Sequence, residues 1–164
     1  MTGYLRRFPL FDGLMDVDIA LLERVFVESS YLAGHVFVKE GDRASAGTSA
    51  LYLVLDGQVG VSAAAPDGGF GVKRTLGPGR VFGAVALVAD VPRTATCRAL
   101  TSVTAAKLDR RTFEELFRKN VGVHARFQLV IAKSLAADLR DLRALLVGAL
   151  ASGDEAALRA RFNE

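Results

Sequence analysis

The strongest constraint on the fold is a change in apolar periodicity along the chain. From about residue 31 to residue 108 the sequence breaks into short β-prone runs, at 35–38, 51–55, 59–62 and 94–99. Short strands joined by closely spaced turns predict a small antiparallel β-barrel or jelly roll. The dipeptide Asp56-Gly57 predicts a two-residue hairpin between two of these runs. The other turn signals are Glu40-Gly41-Asp42, Pro66-Asp67-Gly68-Gly69 and Gly77-Pro78-Gly79.

Helical spacing flanks this β-rich zone on both sides. Apolar residues recur every three or four positions over residues 16–27, where Asp16 is placed to cap a helix, and again over residues 121–150. Asp109 is placed to cap a further helix carrying Phe113, Leu116 and Phe117. We therefore expect a mainly β fold with an N-terminal helix and C-terminal helices. Residues 1–120 form the roll domain in this prediction, and residues 121–164 form the C-terminal helices without a separate output domain.

Composition excludes several classes of protein. The 164 residues suit about one domain, and the 21 basic and 18 acidic residues are scattered, which disfavours a nucleic-acid-binding patch. Cys97 is the only cysteine, so no intrachain disulfide can form and a reducing compartment such as the cytoplasm is expected. No segment approaches the ~18 consecutive apolar residues of a membrane span. We expect a soluble, cytoplasmic protein that binds neither DNA nor membrane.

The stretch that carries chemistry is residues 82–96, FGAVALVADVPRTAT. Gly83, placed after a predicted strand, allows a ligand to approach the backbone, and a short helix beginning there directs unpaired amides at an anion. Arg93, held behind Pro92, offers a permanent positive charge with a planar fork of donors. These features predict a phosphate site. The alternative is that Arg93 is an exposed arginine in an ordinary loop.

This segment resembles the phosphate-binding cassette of the cyclic-nucleotide-binding domain family, which reads Phe-Gly-Glu-x-Ala-Leu, a spacer, then Pro-Arg-(Ala/Thr)-Ala. Here the cassette reads FGAVAL, VADV, PRTA. Further motifs similar to the family occur in the same order: PLFDGL, AGHVFVKEGD, ALYLVLDGQVGV and LGPGRVFG. The resemblance implies an eight-stranded antiparallel β-roll flanked by helices, with cyclic AMP or cyclic GMP held inside the roll. The ligand-contacting residues that it implies are Phe82, Gly83, Ala84, Val85, Ala86, Leu87, Arg93, Thr94 and Ala95.

Ala84 departs from the family pattern, which has glutamate at this position. The resemblance implies that the glutamate accepts a hydrogen bond from the ribose 2′-hydroxyl, a bond worth ~1.5–3 kcal/mol, so its loss predicts affinity weaker by roughly 10- to 100-fold. Three interpretations are open: a weakened cyclic-nucleotide site, a site for a larger or 2′-modified nucleotide, and a degenerate site on a scaffold.

The hydroxyl of Thr94 can bond the phosphate or, as the resemblance implies, a guanine. The alternative is that Thr94 is a β-branched residue that favours the strand conformation.

No catalytic or metal constellation accompanies this segment, so we expect no enzyme activity and no metal or other cofactor. The histidines His35 and His124 lie apart, without cysteines or paired carboxylates at ligand spacing. Cys97 is interpreted as a small buried hydrophobe. The acidic pairs at positions 114–115, 138 and 141 are interpreted as solvated helix surface.

The apolar stripe of residues 121–150 is longer than one small roll covers, which favours a homodimer over packing on its own domain. Asp138, which interrupts the stripe, is then expected to pair with Arg140 or Arg143 of the opposing chain. Few residues follow the stripe, so we expect no helix-turn-helix and an output through a separate partner protein. The rival interpretation is a ligand-independent interaction protein whose nucleotide site is degenerate.

Overall fold

The computed structural model describes residues 3–43, 49–62, 74–89 and 91–151, and the predicted turn at residues 66–69 lies outside them. Two short 3₁₀ segments, Tyr4–Arg7 and Pro9–Phe11, precede the first helix. The helices are α1 Asp16–Val25, α2 Val85–Val88, α3 Arg110–Lys119 and α4 Val121–Ala151. The strands are β1 Val27–Tyr31, β2 Val36–Val38, β3 Ala50–Asp56, β4 Val59–Ser62, β5 Arg74–Leu76, β6 Val81–Phe82, β7 Thr96–Ala99 and β8 Val103–Asp109.

Eight strands in the described ranges form two antiparallel sheets, and the predicted β-roll with flanking helices is confirmed. One sheet has the order β1-β8-β3-β6 and the other has the order β2-β7-β4-β5. Successive side chains of a strand point to opposite faces. In β3, Leu51 and Leu53 accordingly pack in the core that the helices cover, whereas Tyr52 and Val54 pack in the core between the sheets.

The predicted hairpin at Asp56-Gly57 is wrong. β3 pairs with β6 and β8, whereas β4 pairs with β5 and β7, so the chain changes sheet at this turn. Gly57 has the positive φ of 86° that the turn signal implied, and a Cβ there would lie 2.2 Å from the carbonyl oxygen of Ser102. The turn chemistry was therefore interpreted correctly, but the strands that it joins find their partners elsewhere in the sequence.

The predicted helix caps differ in their outcome. Asp109 caps α3 as expected, because its carboxylate accepts the Thr112 N–H at 2.9 Å. Asp16 does not cap α1 and instead pairs with Arg6. The residue that accepts a backbone N–H at this helix start is Asp18, which bonds the N–H of Met15 at 3.0 Å.

The long helix α4 has two halves with different surroundings. In the anchored half, residues 121–134, Phe127, Val130 and Ile131 are buried in the core beneath α1. Asp18 of α1 is fully buried and accepts from Arg126 Nε at 2.6 Å and from Arg126 Nη2 at 2.7 Å. In the distal half, residues 135–151, most side chains are partly or fully exposed. The fully buried apolar side chains of α4 thus lie in its first half, and Leu135 at the start of the distal half packs against the same core only partly buried.

Candidate functional site

A pocket with a volume of about 110 Å³ lies between the cassette, the inner faces of both sheets and α4. Its wall includes most of the residues that the sequence predicted, although these come from two separated segments. The loop after α2 brings residues 92–95 against the turn that follows β6. The predicted residues on the wall are Phe82, Gly83, Ala84, Val85, Arg93, Thr94 and Ala95.

Gly83 brings the two segments of the cassette together. Its φ is +79°, a backbone conformation that favours glycine. A Cβ at this position would lie 2.4 Å from the carbonyl oxygen of Ala50 and 3.5 Å from Nη1 of Arg93. The absence of a side chain therefore lets the Ala50 carbonyl of β3 approach the turn, and the guanidinium of Arg93 lies next to the same position.

The backbone of Arg93 is held in place by the turn after β2. Its N–H donates to the carbonyl of Asp42 at 2.9 Å, and its carbonyl accepts from the N–H of Gly41, also at 2.9 Å. The side chain is half-buried, and burial lowers the pKa of the guanidinium, while Tyr52, Cys97 and Asp42 act in the opposite direction. Since an arginine stays protonated in proteins, the pocket keeps this positive charge at any physiological pH.

The remaining predicted residues take different places. Ala84 is buried, lines the pocket and directly precedes α2, so no carboxylate enters the pocket from this position. Thr94 is exposed at the rim. Ala86 lies within α2, while the side chain of Leu87 is buried in the helix-side core and its N–H donates to the carbonyl of Ala84 at 3.0 Å. Leu87 is therefore turned away from the pocket.

Phe82 closes one wall of the pocket as part of an aromatic cluster that sequence reasoning missed. Its ring stacks on Tyr52 with a centroid distance of 5.0 Å and an interplanar angle of 9°. Phe37 meets both rings edge-on, at 5.2 Å from Phe82 and 5.4 Å from Tyr52. Edge-to-face and offset stacked rings are favourable arrangements. The wall beside Gly83 is thus a packed, apolar surface.

Sequence reasoning also missed the contribution of β5 and α4. Arg74, Leu135 and Asp138 all line the pocket. Asp138 Oδ1 lies 2.8 Å from Arg74 Nη1 and 3.2 Å from Arg80 Nη2, and Asp141 Oδ2 lies 2.5 Å from Arg80 Nη2. Asp138 therefore pairs with arginines of its own roll, and the expected pairing with Arg140 or Arg143 of an opposing chain stays a prediction. The only local signal was two acids three residues apart on one helix face.

The environments of Cys97 and the two histidines indicate structural roles. Burial raises the pKa of the Cys97 thiol to about 12, so the group is protonated at neutral pH. His35 packs against Tyr31 and Phe37, and His124 lies 2.7 Å from the amide nitrogen of Gln128. Over the ranges that the structure describes, no three His, Cys, Asp or Glu side chains are grouped as a metal site. No helix in those ranges combines the length and apolar character needed to cross a membrane.

Comparison with known proteins places this geometry in a family. The model for the cyclic nucleotide-binding domain matches residues 28–120, more than half of the chain. The chain belongs to the cyclic nucleotide-binding domain family. The match contains every strand described here except the first residue of β1, and it contains the whole cassette. The matched range thus contains the roll and the cassette side of the pocket wall, whereas Leu135 and Asp138 lie outside it.

Relatives of this domain occur in longer regulators. The chain is 26% identical over 135 residues to the CRP-like cAMP-activated global transcriptional regulator of Mycobacterium tuberculosis, covering 82% of this chain and 58% of that protein. It is 35% identical over 113 residues to a cAMP-dependent protein kinase regulatory subunit of Eremothecium gossypii, covering 69% of this chain and 23% of that protein. The chain thus spans little more than half of the first relative and about a quarter of the second.

A solved structure of similar extent is the N-terminal domain of a transcriptional regulator from Streptomyces coelicolor A3(2). It superposes with a TM-score of 0.66 at 29% identity, covering 85% of this chain and 94% of that one. The likeness therefore extends over nearly the whole of that domain.

Proposed function

We propose that this cyclic nucleotide-binding domain is a regulatory module, not an enzyme, and that its pocket binds cyclic AMP or cyclic GMP. The observation that carries the proposal is the position of Arg93 beside Gly83 on the pocket wall, with Nη1 3.5 Å from the point where a Cβ of Gly83 would lie. A planar fork of donors beside exposed backbone suits a singly charged phosphate ester. The packed ring of Phe82 next to it gives an apolar surface for the rest of the nucleotide.

The charge balance of the pocket supports an anionic ligand. The ionisable side chains on its described wall are two arginines, one aspartate and the protonated Cys97. Asp138 is paired with Arg74, and position 84 contributes no carboxylate to the pocket. The described wall therefore carries more basic than acidic side chains, which favours a phosphate beside Gly83, although position 84 offers the ribose no acceptor.

The direct test is calorimetric titration with cyclic AMP and cyclic GMP, and with 5′-AMP as a non-cyclic control. Arg93→Leu removes a charge-assisted contact and is expected to weaken binding by roughly 10- to 100-fold. Arg93→Lys keeps the charge but loses the fork, so its effect is expected to be intermediate. The matched control is Arg111→Leu, whose side chain is exposed on α3. Absence of heat with either cyclic nucleotide up to millimolar concentration would contradict the proposal.

Ala84→Glu tests whether weak binding comes from the missing acceptor. A carboxylate restored at this pocket-lining position is expected to strengthen binding of a cyclic nucleotide by roughly 10- to 100-fold. The gain should disappear with the 2′-deoxy form of the same nucleotide, because that form has no hydroxyl to donate. An equal gain with both forms would indicate that the glutamate acts through something other than the ribose.

We further propose that the distal half of α4 forms a homodimer, through which ligand binding is signalled to a partner protein. Leu139 is 69% exposed and Leu142 is 50% exposed, and Leu146 and Leu150 continue the same stripe. Such spacing suits association with a second helix. Sedimentation of the chain at micromolar concentration is expected to give a dimer, and Leu139→Glu is expected to give a monomer. A monomeric wild type would contradict this part of the proposal.

The rival function is a scaffold that associates without a ligand, and the exposed stripe on α4 is the observation in its favour. It is distinguished by the same variants. If wild type dimerises, binds no cyclic nucleotide and keeps its dimer in Arg93→Leu, the scaffold interpretation is favoured. If the ligand changes the dimerisation constant in wild type but not in Arg93→Leu, the sensor interpretation is favoured.

A further inference from the structure

We propose that the ion pairs between the roll and the distal half of α4 form a clamp that closes the pocket and competes with ligand binding. The clamp consists of Arg74 and Arg80 on the roll and Asp138 and Asp141 on α4. This inference rests on the proposed function and adds to it a contact that favours the ligand-free arrangement.

The clamp connects elements that are distant in sequence. Arg74 begins β5, at the edge of its sheet, and Arg80 lies between the turn at residues 77–79 and β6. Both arginines reach Asp138, and Arg80 also reaches Asp141 one helical turn further along α4. The paired side chains are part-buried, so water screens them less than it screens fully exposed pairs. The network therefore holds the start of the distal half to the sheet edge.

The clamp lies directly over the pocket. Arg74 and Asp138 belong to the pocket wall, as does Leu135 one turn before Asp138. Arg74, Arg93 and Asp138 all interact electrostatically with the buried thiol of Cys97. These three charged side chains therefore surround the same pocket. Asp138 is thus a carboxylate of the chain itself, bound to one of the two arginines in the pocket.

The small volume of the pocket favours a movement of part of its wall when a nucleotide binds. Ligand pockets commonly have volumes of about 300–1,000 Å³, whereas this one measures about 110 Å³. The strands on the wall are fixed by ladder hydrogen bonds, and Arg93 is fixed by its backbone bonds to Gly41 and Asp42. The distal half of α4 is held at this point by the clamp and by the packing of Leu135. It is therefore the part of the described wall that we expect to move, and the clamp opposes this movement.

Arg80 and Asp141 allow the clamp to be opened without altering the pocket surface, because neither belongs to the pocket wall. We expect Arg80→Ala and Asp141→Asn to speed amide hydrogen exchange in residues 136–151 of the ligand-free protein. We also expect each to raise the affinity for cyclic AMP or cyclic GMP by about two- to five-fold, the scale of one part-exposed ion pair. The double variant should gain less than the product of the two single gains, because both remove the same pair.

The matched control is Arg140→Ala, an exposed arginine of the same helical turn that takes no part in the clamp. This variant is expected to change neither amide hydrogen exchange in residues 136–151 nor the affinity for cyclic AMP or cyclic GMP. Binding by wild type with an unchanged or lower affinity in Arg80→Ala would overturn the clamp and leave the proposed function standing. Unchanged exchange in both clamp variants would overturn it as well. If neither wild type nor the two clamp variants bound a cyclic nucleotide, both the proposed function and the proposed competition between clamp and ligand would be overturned.

Discussion

The two halves of α4 belong to one helix but are attached to the molecule by different interactions. The anchored half places large side chains such as Phe127 in the helix-side core and holds Arg126 against the buried carboxylate of Asp18. The distal half makes its described polar contacts at the rim of the pocket and leaves Leu139 and Leu142 exposed. Burial of large apolar side chains contributes much to the stability of the fold, whereas a part-exposed ion pair contributes little.

This difference indicates that the two halves of α4 have different roles. Changes in the anchored half should alter the stability of the whole domain, and changes in the distal half should alter local opening. Proteins commonly draw their moving parts from regions with few buried apolar contacts. Three substitutions test this division, in decreasing order of expected effect.

Phe127→Ala should have the largest effect. The ring is 1% exposed and packs against Phe26 and Phe113, so its loss leaves a cavity beneath α1. The expected decrease in the free energy of unfolding is about 3–5 kcal/mol, measured by urea denaturation. The matched control Leu129→Ala, at a site 56% exposed, should change it by less than about 0.5 kcal/mol. Equal losses in both variants would contradict the idea that the anchored half is held through its buried face.

Arg126→Gln should have an intermediate and pH-dependent effect. The hydrogen bonds from Arg126 lower the pKa of Asp18 in the folded protein. A lowered pKa stabilises the fold above the unfolded-state value near 4, and this contribution is lost as pH falls through the lower folded-state value. At pH 7 the variant should be less stable than wild type, but by less than the loss of a fully buried pair would cause, because part of Arg126 reaches solvent.

The measurement for this pair is unfolding by urea at several pH values. The difference between wild type and Arg126→Gln should be constant near neutrality and should shrink as pH falls below about 4. Arg24→Gln, an exposed arginine on α1, serves as the control and should give no such profile. A difference that grew on acidification would show that Asp18 is not the group that Arg126 stabilises.

Gly148→Ala should have the smallest effect and the opposite sign. Gly148 lies inside the distal half of α4, and a Cβ there would meet no atom within 4 Å. Alanine favours a helix over glycine by roughly 0.5–1 kcal/mol, so amide exchange in residues 140–151 should slow about two- to five-fold. The urea midpoint of the whole domain should stay the same, because the distal half opens by itself. An equal rise in global stability would mean that the two halves unfold together.

Sequence reasoning succeeded where the relevant residues are close together in the chain. The cassette is a single stretch, so its glycine, arginine and short helix were recognisable, and the strands at the four predicted β-prone runs and the Asp109 cap were confirmed. The family match supports the same architecture over residues 28–120. These features depend on local backbone chemistry and on periodicity, which a linear pattern contains.

Sequence reasoning failed where an interaction depends on which distant segments meet. Asp56-Gly57 has the conformation of a turn, but β3 finds β8 and β6 instead of β4, because sheet pairing is decided by the whole roll. Asp138 was assigned to an opposing chain, whereas its partners lie 58 and 64 residues away in the same chain. Asp18 bonds the nearby Met15 N–H, but its pairing with Arg126, 108 residues away, forms only in the folded structure.

The two main-chain bonds of Arg93 to Gly41 and Asp42 mean that its backbone is positioned by a turn some fifty residues upstream of it. Gly41 has a φ of +80°, so a bulkier residue there strains the turn that positions Arg93. Gly41 is not itself part of the pocket wall. Genetic screens for signalling-defective alleles should accordingly recover lesions at this upstream turn, which a scan restricted to cavity-facing positions would overlook.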